Sequence, residues 1–210
     1  RKHVFCTQPP PMRSRKVFRI YTALSVDERA AFGLYLASPY FGLGQRLVDL
    51  HKLLEEALVL QPDQQLTAEE VWQLLPDVTT AYRANGFDKL CAELLSALND
   101  FLAMQEFRAQ PATVAALMME GYLGRHLDEW VPSVSEALID KLGKDLERDA
   151  EGLHAHLRIT ELYAEYIFRQ PRTPREEALL AIDQKLTAYY ASKKLELASL
   201  IDVYNRSFNS

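Results

Sequence analysis

The densest group of potential metal ligands in the chain is Glu151, His154 and His156. A structural zinc site needs four such groups converging, and a catalytic one needs three plus water. Residues two apart on a helix point about 200° apart, so His154 and His156 cannot share an ion. Glu151 and His154 share a face, but two ligands make a poor site. A di-iron bundle would need a Glu-x-x-His pair on each of two helices, and this sequence offers one. His126, beside Asp128 and Glu129, reads as a cation stabilising a helix C-terminus. No metal and no cofactor is therefore expected.

Covalent chemistry fares no better. Nucleophilic catalysis needs a nucleophile with a base and an orienting group, and no G-x-S-x-G elbow is present. Cys91 sits in a stripe of leucines, where desolvation raises a thiol pKa and makes it inert. Gly42-Leu43-Gly44 lacks the third glycine and the preceding strand of a phosphate cradle. The carboxylate pairs Glu55-Glu56, Glu69-Glu70 and Glu176-Glu177 are adjacent, so they diverge on a helix and read as solubilising faces or first-turn dipole partners. No catalytic residue is expected, and the chain is read as a non-enzyme.

The aromatic residues suggest recognition instead. Tyr40 and Phe41 follow a proline at a turn, and Tyr189, Tyr190 and Tyr204 lie in the last helix. Tyrosine-rich surfaces on stacked helices suit peptide partners. These five form the expected partner-binding surface. Tyr189 and Tyr190 are adjacent, so their rings cannot both bury on one side.

The elements that position these residues are helices. Ser25-Val-Asp-Glu28 and Thr67-Ala-Glu-Glu70 are capping boxes, and Ser133-Val-Ser-Glu136 is read as a third. Thr173-Pro174-Arg175-Glu176 combines a capping hydroxyl, proline at the first helical position and Glu at the third. Apolar residues at helical spacing predict helices over about 25–37, 45–60, 68–75, 87–108, 111–125, 133–147, 149–169 and 174–206. Residues 15–24 read as a short helix or an extended stretch. No segment alternates apolar and polar residues, so no strand is expected. Seven to eight helices with short connections imply an all-α fold of stacked antiparallel helix pairs, as an irregular α-solenoid or a helical bundle.

Charge divides the chain. The first 26 residues hold six of the 24 Lys and Arg and none of the 29 Asp and Glu, so the remainder carries −11 of the net −5. Residues 1–24 are read as a basic, proline-containing leader, and 25–210 as one helical domain with a possible subdivision near 109–132. The acidic body disfavours nucleic-acid binding. No apolar run reaches the roughly 20 residues of a membrane span. No apolar core follows the basic leader as in a secretory signal. Two cysteines, Cys6 and Cys91, suit a reducing cytoplasmic compartment.

Three segments carry a family likeness: Phe32-Gly-Leu-Tyr-Leu-Ala-Ser-Pro-Tyr-Phe41, Phe87 to Glu106, and Ala178 to Ala198. In that order they resemble a family of uncharacterised bacterial helical proteins with a "YL.SPYF" turn near the start. Gly42 and Gly44 stand where members often carry a polar residue, which touches only the turn geometry. The resemblance implies a tetratricopeptide-like helical array, with further helices beyond this point, and no known activity. The expectation is a non-enzymatic protein-interaction or scaffold module with an unknown protein partner. The alternatives are an N-terminal regulatory or adaptor domain of a longer repeat protein, and a helical-bundle enzyme or small-ligand binder.

Overall fold

The computed structural model describes residues 15–56, 67–76, 81–142, 149–171 and 175–208. All regular structure among them is helical: α1 (Lys16–Ala23), α2 (Val26–Ala37), α3 (Gln45–Leu54), α4 (Ala68–Leu74), α5 (Ala84–Arg108), α6 (Pro111–Leu123), α7 (Val131–Leu142), α8 (Ala150–Arg169) and α9 (Arg175–Phe208). A 3₁₀ turn, Asp128–Trp130, leads into α7. The all-α class is as expected.

Local signals account for several boundaries. Ser25 and Thr67 each accept a hydrogen bond from the backbone three residues on, and Glu28 and Glu70 reach back to close both boxes. Ser133 does not cap α7 as its pattern predicts. Helix α7 begins two residues earlier, at Val131, which is fully buried, and the Ser133 hydroxyl donates to the Trp130 carbonyl. The cap at Thr173 and the stretches 57–66 and 143–148 lie outside the described residues. Helix α8 is capped by Asp149, whose carboxylate accepts from the Gly152 N–H at 2.8 Å.

The chain separates into two compact units, Arg1–Gln105 and Glu106–Ser210. The division falls in the last turn of α5, just ahead of the stretch 109–132. The core of the first unit gathers Val17, Phe18 and Tyr21 of α1 with Phe32, Leu36, Leu50, Leu54, Phe87, Leu94 and Phe101 of α2, α3 and α5. The last part of the basic leader is thus helical: α1 is amphipathic and buries its apolar face in this core. Arg15, just before α1, pairs with Asp88 and stands 5.4 Å from the ring centre of Phe87.

Helix α5 starts at Ala84, three residues ahead of the expected 87. Gly86 lies inside its first turn, where a β-carbon would stand 3.4 Å from the Trp72 ring. That is an ordinary van der Waals distance, so Gly86 is a helical residue packed beside the indole of α4.

The second unit packs α6, α7 and α8 around Ala115, Met119, Leu123, Val131, Leu138, Ile159 and Leu162. Helix α9 runs antiparallel along α8. Arg175 donates to the Phe168 carbonyl at one end, and Tyr189 meets the His154 ring 5.1 Å away near the other. With 34 residues against 20, α9 runs on past the first turn of α8.

Candidate interaction surface

Helix α9 is the longest element, and none of its side chains from 175 to 207 is buried. Its half-buried residues, Ala178, Ala181, Ile182, Lys185, Ala188, Tyr189 and Ser192, recur at intervals of three and four. They form the stripe that lies on α8. A second apolar stripe is exposed. Leu179, Leu186, Tyr190, Leu197 and Ile201 are 49–61 % accessible. At 100° per residue this line sits about 130° round the helix from the first.

Beyond residue 195 no part of α8 stands alongside, leaving about 20 Å of α9 without it. Leu200, Val203 and Tyr204 of this stretch are also about 60 % exposed. Contiguous exposed apolar residues on one helical line differ from singly scattered surface leucines.

The five aromatic residues singled out from sequence are placed unequally. Tyr40 is 87 % exposed, whereas Phe41 is half-buried with its ring centre 4.3 Å from that of Tyr35. Phe41 thus anchors the turn and Tyr40 faces solvent. Both belong to the first unit. In the second unit, Tyr189 lies on the α8 side against His154, while Tyr190 lies on the exposed stripe with the Lys194 ammonium 5.5 Å from its ring centre. Tyr204 shares the Tyr190 face four turns on.

The leucines of the exposed stripe were missed as a surface because the sequence shows a single period through Leu179, Ile182, Leu186 and Tyr190. The signal that separates them is angular: Ile182 falls on the α8 side, and the others fall on a line of their own.

A buried polar cluster in the first unit was also not foreseen. The Tyr21 hydroxyl donates to Glu55 Oε2 at 2.9 Å and lies 2.9 Å from His51 Nδ1. Arg29 Nε donates to both Glu55 oxygens at 3.1 and 3.2 Å, and a second guanidinium nitrogen donates to the Leu24 carbonyl. Because the hydroxyl proton points to the carboxylate, its oxygen accepts from His51 and assigns the Nδ1–H tautomer. Burial, reinforced by Glu55, pushes the Tyr21 pKa well up; burial, with Lys52 and Arg29 adding to it, pulls that of His51 down. Glu55 was read as a solubilising surface residue and is instead the hub of this lock. The cluster ties α1, α2 and α3 together, and neither of the two principal clefts includes any of its four residues.

Those clefts are shallow. One, in the first unit, lies among the start of α3, Trp72 and α5. The other, in the second, is lined by Asp149, Glu151, His154, Tyr189, Lys193 and Glu196. In the latter Lys193 pairs with Glu196 at 2.7 Å, which raises its pKa. Among the described residues no group of three or more His, Cys, Asp and Glu side chains could hold a metal ion, and no helix is long and apolar enough to cross a membrane. Burial pushes the Cys91 thiol up to about 11.

No protein-family model, curated protein or solved structure matches the chain.

Proposed function

We propose that this chain is a non-enzymatic interaction module that docks an amphipathic helix along the exposed stripe of α9. The observation that carries the reading is that the longest helix buries none of its side chains from 175 to 207, yet aligns Leu179, Leu186, Tyr190, Leu197 and Ile201 on one solvent-facing line. Helix-in-groove and helix-pairing partners are recognised by such anchors at intervals of three, four and seven. The reading rests on the shape and chemistry of a surface rather than on a reacting group.

A photo-crosslinking amino acid tests it. The residue is placed in cells at Tyr190 or Leu197 on the stripe, and at Gln184, which is exposed on another side of α9. The expected result is an adduct from 190 and 197, absent from 184, that maps by mass spectrometry to a segment with apolar residues at helical spacing. Equal or absent adducts at all three positions would remove the reading.

A further inference from the structure

We infer that the helix docked on α9 is the α9 of a second copy of this chain, laid antiparallel. The inference rests on the docking reading above and names its partner. Its basis is spacing. Four of the five stripe residues, Leu179, Leu186, Tyr190 and Leu197, are separated by seven, four and seven residues, a series that reads the same from either end, and Ile201 lies beyond it, level with Arg175 of the other copy. Round the helix the four fall within about 40° of one another. An antiparallel copy centred on Ala188 therefore sets Leu179 opposite Leu197 and Leu186 opposite Tyr190, and the two-fold axis repeats both contacts. An unrelated partner would impose no such symmetry on this stripe.

Charge fits the same register. Asp183 and Lys194 lie on one flank of the stripe, about 40–60° from its centre. In an antiparallel pair a flank faces its own copy. The two residues lie five before and six after Ala188, so each Asp183 comes level with the Lys194 of the other copy. Lys194 already stands at the edge of the seam, over the Tyr190 ring. A parallel pair would instead bring Lys194 beside the Lys193 of the other copy, which lies on the opposite flank. Four side chains a side, each 49–60 % exposed, make a short seam of about 27 Å. Such a seam is smaller than a standard stable interface, so the pairing should depend on concentration.

Sedimentation equilibrium of the full chain, from about 1 to about 200 μM, tests this. A monomer–dimer equilibrium is expected. Leu186→Glu should abolish the dimer with the helical circular dichroism unchanged, because residue 186 is exposed. Asp183→Lys and Lys194→Asp should each weaken association at least about fivefold, and the double exchange should restore it to within about threefold of the parent. A chain that stays monomeric throughout, or a dimer indifferent to Leu186→Glu and to both charge changes, overturns the inference. A monomer that still crosslinks from Tyr190 to a different protein overturns self-pairing while leaving the docking reading intact.

Discussion

The imidazole edge of His51 lies against Gly33: a β-carbon on Gly33 would stand 2.7 Å from Nε2 and 3.2 Å from Cδ2. Gly33 is in the middle of α2, where a glycine ordinarily costs about 0.5–1 kcal/mol relative to alanine. Its presence there makes room for a ring that is only 8 % exposed and bonded to Tyr21 on its other side.

Gly33→Ala should therefore destabilise the first unit, against the helix-propensity trend. The ring cannot retreat without losing the Tyr21 contact, and overpacking of this kind costs about 1–3 kcal/mol. Chemical denaturation of Gly33→Ala, His51→Ala and the double variant checks this. The double variant should be more stable than the sum of the single changes predicts, because removing the ring removes the clash. Simple additivity, or a stabilised Gly33→Ala, would show that the contact does not constrain the fold.

Burial lowers the His51 pKa in the fold, and the groups facing it are Tyr21, Arg29, Glu55 and Lys52. Glu55 acts in the opposite sense but more weakly than burial. Below the unfolded value of about 6.5 the unfolded chain takes up a proton that the folded chain refuses. Stability should then fall as the pH drops from about 7.5 to about 5.5, by up to about 1.4 kcal/mol per pH unit from this group. His51→Asn keeps a donor near Tyr21 and cannot titrate. Its baseline stability will be lower, but the slope across that window should shrink, and an unchanged slope would assign the pH dependence elsewhere.

Local chemistry explains which parts of this architecture were legible in the sequence. Ser25 with Glu28 and Thr67 with Glu70 complete their bonds within four residues, so the sequence pattern is the structure. Ser133 and Glu136 show the same pattern, yet the buried Val131 draws the helix start back past them. The Tyr21–Glu55 bond spans 34 positions, and nothing adjacent to Glu55 marks it as different from Glu56. The double stripe of α9 lies between these cases. Its angles are written in the sequence, but which stripe is covered depends on the length of α8.

Cys91 offers a test of burial by reactivity. A thiol held up at about 11 by desolvation, with the Arg15 guanidinium only partly offsetting it, is almost wholly protonated at pH 8. Since the thiolate is the nucleophile, modification in the native protein should be slower by at least about 100-fold than in denaturant. The experiment is run in a Cys6→Ser background, so that a single thiol reports. A rate within about tenfold of the denatured value would mean that the α1–α5 packing around Cys91 opens readily.

The end of α6 holds a non-glycine residue in left-handed geometry. His126 has φ +59°, the left-handed region that costs a residue with a β-carbon about 1 kcal/mol. Around it Leu127 N–H donates to the Tyr122 carbonyl at 3.0 Å and His126 N–H to the Leu123 carbonyl at 3.4 Å, the paired bonds of a Schellman ending. Glycine is the residue this position ordinarily favours, and here the glycine, Gly124, sits two places early in right-handed geometry. Two arginines also stand at this helix end: Arg125, bonded to the Gly121 carbonyl, and Arg169, bonded to the Leu123 carbonyl and Asp128. The His126 side chain is exposed, so replacing it removes strain without opening the core. His126→Gly should stabilise the second unit by up to about 1 kcal/mol, less the backbone entropy that glycine surrenders. His126→Val should destabilise it, because a β-branched residue is strained most at positive φ. Thermal unfolding of both variants should therefore move in opposite directions. Two shifts of the same sign would mean that the left-handed turn does not limit the stability of this helix end.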